Sequence, residues 1–136
     1  MALVSCVDQK RSGRFKAHDL YISNWFKKAK RHVMANYHHW HILSAKYYLL
    51  QPEKPIDYYQ LYLPKTPLDY RKKWAMIVFQ QIEKLYRKET EIHIYAGEHY
   101  RKYLVPLLIE ASYQVTVPLK GLGIGQQMHW FDKQQA

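Results

Sequence analysis

Met1-Ala2-Leu3-Val4-Ser5-Cys6-Val7-Asp8-Gln9-Lys10-Arg11 passes within a few residues from an apolar run into small and polar side chains. Ala2 to Val7 does not alternate apolar with polar residues, which is the pattern of a strand covered on both faces in a parallel sheet. The end of that strand delivers Ser5, Cys6, Asp8 and Lys10 to a surface. Three later stretches repeat the arrangement. Tyr37 to Ala45, centred on Trp40-His41-Ile42-Leu43, runs into Ser44 and Lys46. Glu91 to Ala96 runs into Gly97 and Glu98, and Gln114 to Leu119 runs into Lys120-Gly121-Leu122-Gly123-Ile124-Gly125-Gln126-Gln127.

Helical periodicity fills the intervals between these strands. Ile22, Trp25, Phe26, Ala29, Val33 and Tyr37 predict a helix within His18 to Tyr37, with Asp19 or Ser23 as its cap. Thr66-Pro67-Leu68-Asp69 opens a second helix that runs to about Arg87, with Thr66 as N-cap and Pro67 in the first helical position. Its expected buried stripe is Tyr70, Trp74, Ile77, Val78, Gln81 and Leu85. Tyr100, Tyr103, Leu104, Leu107 and Leu108 mark a third helix that contains Pro106. An interior proline costs roughly 3 kcal/mol, so a kink or a fresh helix start is expected there.

Two stretches read as loops. Gln9 to His18 is basic and contains a glycine. Lys46 to Pro67 is long and carries Tyr47, Tyr48, Tyr58, Tyr59 and Tyr62 among its prolines, as a functional or mobile connection does. Strands alternating with helices predict a single α/β domain over residues 1–136. The expected form is a three-layer α/β/α sandwich with a four-stranded, mostly parallel sheet. Right-handed crossovers put the four strand ends on one edge, where open α/β sheets bind ligands.

Twenty-one Lys and Arg against eleven Asp and Glu leave a net charge of +10, and thirteen Tyr and four Trp accompany it. Positive charge attracts polyanions and aromatic faces stack on bases, so the expected partner is nucleic acid, DNA or tRNA. One cysteine excludes an internal disulfide and a Cys-based zinc site. His38, His39 and His41 alternate faces of a strand with no acidic neighbour, so no metal is expected, and no cofactor motif is present. No basic leader precedes an apolar core, and no run of about 18 apolar residues occurs. A cytoplasmic protein without a membrane partner is expected.

The strand ends then gather a set of candidate groups. Asp8 and Glu98 are the two carboxylates placed for chemistry: one to activate water or stabilise a cation, the other an alternative helix cap. Ser5, Cys6, Lys10, Ser44, Lys46, Gly97, Tyr100, Gly121, Gly123 and Gln126 are candidate ligand-binding residues. Lys46 can hold a phosphate, form a structural ion pair with Glu98, or act as a nucleophile if burial lowers its pKa, and Cys6 can be a small buried hydrophobe.

Several of these pieces also carry a resemblance. Leu3-Val4-Ser5-Cys6 with Lys10, Asp19-Leu20-Tyr21, Leu43-Ser44-Ala45-Lys46, Ala96-Gly97-Glu98 with Tyr100-Arg101, and Gly121-Leu122-Gly123-Ile124-Gly125-Gln126 resemble a family of small uncharacterised bacterial and phage domains. The match adds Arg101 to the ligand-binding set. That family is distantly similar to the uracil-DNA glycosylase superfamily and to deazaguanine-related tRNA-modification domains. The similarity implies a base pocket at the carboxyl edge, an acid after the first strand (Asp8), and a stacking aromatic such as Phe15 or Tyr47. The glycosylase water-activating motif after the first strand and the His-containing motif after the last are both missing.

Three functions follow as expectations. The first is a nucleobase-directed enzyme, cleaving an N-glycosidic bond or exchanging a base on modified nucleic acid. The second is a non-catalytic basic nucleic-acid-binding protein. The third is a pocket for a small nucleotide or an acidic partner in phage–host conflict.

Overall fold

β1 (Ala2–Ser5) is buried along its whole length at the centre of a sheet, which accounts for its lack of alternation. The computed structural model describes residues 1–135. After β1 come β2 (Arg14–Lys16), α1 (Ala17–Leu20), α2 (Asn24–Asn36), β3 (Trp40–Ser44), β4 (Tyr48–Leu50) and β5 (Pro55–Asp57). A 3-10 turn (Leu63–Lys65) leads to α3 (Leu68–Leu85), β6 (Glu91–Tyr95), α4 (Glu98–Arg101), α5 (Leu104–Glu110), β7 (Gln114–Thr116) and α6 (Ile124–Lys133).

The main sheet has five strands in the order β4-β3-β1-β6-β7. β1, β3, β6 and β7 are the four anticipated strands, and they run parallel. The strand the sequence did not reveal is β4. Tyr48 adopts φ 62°, which turns the chain so that Tyr48–Leu50 runs back antiparallel along Ser44–Ile42. A left-handed turn usually advertises itself with glycine, and here a tyrosine occupies it.

The two presumed loops also pair with each other. β2 from the basic stretch and β5 from the Tyr-rich connection form a small antiparallel sheet, with Phe15 opposite Ile56. Of the two caps expected for α2, Ser23 takes the role, its Oγ accepting from Phe26 N at 3.1 Å. Asp19 instead pairs with Lys30 at 3.0 Å. Thr66 does not cap α3: its hydroxyl donates back to Leu63 O at 2.6 Å, and Pro67 holds the cap position. Leu85, expected in the buried stripe, is 55% exposed at the end of that helix. Pro106 sits in the first turn of α5, where the missing N–H has no intrahelical partner to lose, so the chain breaks into two helices rather than kinking one.

α2 packs on β1 and α6, while α3 packs on α4, α5 and β4. The chain leaves β1 for β3 on one side and returns past β1 to β6 on the other. The carboxyl ends of β1 and β6 therefore form the topological switch point, where connections diverge and leave a crevice. Among the described residues, no helix is long and apolar enough to cross a membrane.

Candidate functional site

A cavity of about 230 Å³ lies at that switch point. Ser5, Cys6, Val7 and Asp8 enter it from the end of β1, and Gly97, His99 and Tyr100 from the end of β6. Trp25 in the first turn of α2, Tyr62 just before the 3-10 turn and Pro64 within it, and Ile124 and Gln127 of α6 complete the wall. The lining is largely aromatic and aliphatic, with few polar groups.

Local bonds fix those walls. Cys6 Sγ and Tyr100 Oη share a hydrogen bond at 3.2 Å, both buried. The Tyr100 ring stands edge-on to Trp74, 5.6 Å between centroids. Burial, with the nearby Cys6, pushes the Tyr100 hydroxyl far above its ordinary range, so it stays protonated. Trp25 Nε1 donates to Gln127 Oε1 at 2.8 Å, and its ring meets Phe131 edge-on at 6.0 Å. Gln127 Nε2 in turn donates to Leu122 O at 2.9 Å, so the amide that orients Trp25 is engaged at both ends. Burial first, and then the charge of Asp8, push the Tyr62 hydroxyl upward; the two side chains line the same cavity.

Five of the expected residues thus come together: Ser5, Cys6, Asp8, Gly97 and Tyr100. The others are placed elsewhere. Glu98 and Arg101 line a separate shallow depression with Lys102 and Lys120. Arg101 Nε donates to Ala96 O at 3.0 Å, tying α4 back to the end of β6. Asp8 and Glu98 therefore line different depressions. Gly121 supplies φ 83° in the turn before α6, and Gly123 N donates to Gln126 Oε1 at 2.9 Å as that helix starts. Both glycines have structural work outside the cavity, and Gln126 faces a different surface with His129 and Lys133.

Ser44 and Lys46 belong to a second cluster at the end of β3. Ser44 Oγ accepts from Lys46 N at 3.3 Å and Tyr47 N at 3.0 Å, and bonds Tyr59 Oη at 2.9 Å. Tyr59 Oη also bonds Tyr21 Oη. Trp74 Nε1 donates to Ser44 O at 2.8 Å, and Tyr70 Oη to Ala45 O at 2.6 Å. Burial drives the Tyr21 and Tyr59 hydroxyls far upward, Cys6 adding to it. Lys10 Nζ donates to Asp8 O at 3.1 Å and lies 4.6 Å from the centre of the Tyr59 ring, between the two clusters. Lys46 lies over Tyr47 at 5.4 Å.

Neither suggested stacking residue reaches the cavity. Phe15 sits in β2 with Arg11 over its ring, and Tyr47 packs edge-on against Tyr59. Trp25 and Tyr62 are the aromatics that do. Trp25 was readable: a helix entered from β1 places its first turn at the carboxyl edge. Tyr62 carried no signal separating it from its four neighbours in the connection.

A family model described as "Family of unknown function (DUF6884)" matches residues 1–133 of the chain. No curated protein and no solved structure matches it.

Proposed function

We propose, for a chain that belongs to this family of unknown function, a nucleobase-directed enzyme. It acts on modified DNA or tRNA by N-glycosidic cleavage or base exchange. The observation that carries the reading is Asp8, an exposed carboxylate beside an aromatic-walled cavity at the switch point of the sheet.

The cavity falls below the roughly 300–1,000 Å³ of sites for drug-sized ligands, which suits a single ring system. An extrahelical base enters it with its face against Trp25 or Tyr62. Asp8 then accepts a proton from water, or opposes the positive charge that grows on the sugar. In hydrolysis the bond from C1′ to the base nitrogen breaks, water oxygen bonds C1′, and the base leaves with its electron pair and is protonated. Glu98 stands apart, so the chemistry rests on Asp8 alone.

Basic charge along the carboxyl edge of the sheet supports a polyanionic substrate. Lys10, Lys46, Arg101, Lys102 and Lys120 all follow the carboxyl ends of the parallel strands. None of them enters an ion pair among the described residues. The ion pairs instead hold Arg14, Lys16, Lys28, Lys30 and Lys88, with His18 between Asp19 and Glu53. The reading takes the two helix groups as the outer layers of a three-layer sandwich, and bacterial or phage-infected cytoplasm as the setting.

The test is base release from modified DNA or tRNA. Asp8→Asn lowers the rate by about 10²–10⁴-fold, the usual scale of one acid–base group. A rate unchanged by Asp8→Asn overturns the assignment. The unpaired cations also favour a second reading, a non-catalytic nucleic-acid binder. Salt-dependent binding without any base release would select it.

A further inference from the structure

Ser5 closes β1 and is only 5% exposed, and the cavity is what it opens on. Its hydroxyl makes no hydrogen bond to any described residue, yet it is not sealed in the way the partnerless His41 Nδ1 is. Asp8, His99 and Tyr62 line the same cavity from its more open side, while the buried polar groups near the strand ends are engaged. Cys6, the next residue, is held by Tyr100, and Gln127 by Trp25 and Leu122. Tyr21 and Tyr59 hold each other, and Ser44 holds Tyr59 in turn.

In the free protein water can serve this hydroxyl; a ring that displaces the water and offers no partner leaves it buried and unpaired, at a cost of about 1–3 kcal/mol that alanine at the same place avoids. The cost disappears when something in the cavity supplies the missing partner. We propose that Ser5 Oγ is the specificity-determining group of the cavity, hydrogen-bonding the polar edge of a bound heterocycle. This rests on reading the cavity as a base site, and it adds a statement about substrate class. The ligand carries a ring carbonyl, ring nitrogen or ring N–H directed at the end of β1. An apolar ring of the same shape leaves Ser5 buried and unpaired, and is rejected. Because a hydroxyl both donates and accepts, it serves either polarity of edge. Trp25 and Tyr62 supply affinity through their faces, whereas Ser5 supplies discrimination.

Calorimetric titration of the whole chain tests this with five probes: uridine, cytidine, adenosine, guanosine and the nucleoside whose base is difluorotoluene, an apolar ring of thymine shape. At least one natural nucleoside binds about tenfold or more tighter than the difluorotoluene nucleoside, the value of one hydrogen bond to a buried group. Ser5→Ala erases that ratio while the melting temperature holds. Ser5→Cys, close in volume and a weak donor, replaces it if the alanine variant fails to fold, and is expected to narrow the ratio. A preference that survives unchanged in the variant overturns the Ser5 assignment and leaves the base-site reading standing. Absence of binding by every natural nucleoside overturns both.

Discussion

Ser5 and Ser44 end adjacent parallel strands, one at the carboxyl end of β1 and the other at that of β3. Both follow an apolar run, both are buried, and their surroundings differ completely. Ser44 is 0% exposed, with its hydroxyl shared among Tyr59, Lys46 N and Tyr47 N and its carbonyl taken by Trp74. Ser5 faces a cavity, and its hydroxyl has no partner among the described residues. The difference comes from the path of the chain after each strand. Beyond β3 it folds straight back as β4, and the returning connection lays Tyr59 over the strand end. Beyond β1 the connections go to opposite sides of the sheet, and nothing is left to cover the gap. A polar strand end becomes a site only where the chain moves away from it.

The largest effect expected at the closed end comes from Trp74→Ala. Trp74 is 1% exposed, donates to Ser44 O and props Tyr100, so its loss costs about 3–5 kcal/mol in urea unfolding. A cost below 1 kcal/mol would break the claim that this end is closed by packing.

The other end of β3 is equally sealed. His41 is 4% exposed and bonded to Tyr86 Oη at 2.6 Å. Burial first, then His39 and the chain N-terminus, push its pKa down from 6.5 to about 4. The unfolded chain therefore takes up the proton before the folded one. Stability from this group is complete above pH 6.5 and is lost as pH falls toward 4, by up to about 3 kcal/mol. His32, also lowered by burial, acts in the same direction. Urea midpoints between pH 7 and 4.5 should fall more steeply in the native chain than in His41→Gln; parallel curves would remove His41 from the account.

The two serines themselves give the sharpest contrast. Ser44→Ala removes one of the two hydrogen bonds of Tyr59 and takes the acceptor from two backbone N–H groups, and is expected to cost about 1–3 kcal/mol. Ser5→Ala strands nothing in the protein and should stay within about 0.5 kcal/mol of the parent. Equal costs at the two positions, measured by the same urea titration, would show that Ser5 has a protein partner and collapse the comparison.

Much of this architecture was legible in the residues. An unalternating run at Ala2 marked a buried parallel strand, short apolar stretches at Trp40 and Glu91 marked two more, and the helical stripes between them marked crossovers. Pro106 marked the break between α4 and α5, and Ser23 was one of two named caps. β4 was hidden because Tyr48, not glycine, makes its turn. β2 and β5 were hidden because each pairs only with the other, across forty residues, and neither has a hydrophobic face long enough to read. Ser5, Cys6, Asp8, Gly97 and Tyr100 line one cavity because they follow the two strands that flank the switch point. Glu98, Lys46, Gly121 and Gly123 follow strand ends as well. A linear pattern does not distinguish an end that is capped, or turned outward, from one that is open.

The sequence by itself determined the alternation of strands and helices, the basic charge, and the set of polar groups at the strand ends. Those are local properties of periodicity and composition. Only the tertiary structure decided the strand order, and with it the place where the connections part. That choice puts Ser5 and Asp8 beside Trp25, Tyr62 and Tyr100, and buries Ser44 under Tyr59. It depends on which distant surfaces bury one another, a relation between parts of the chain that no single stretch contains.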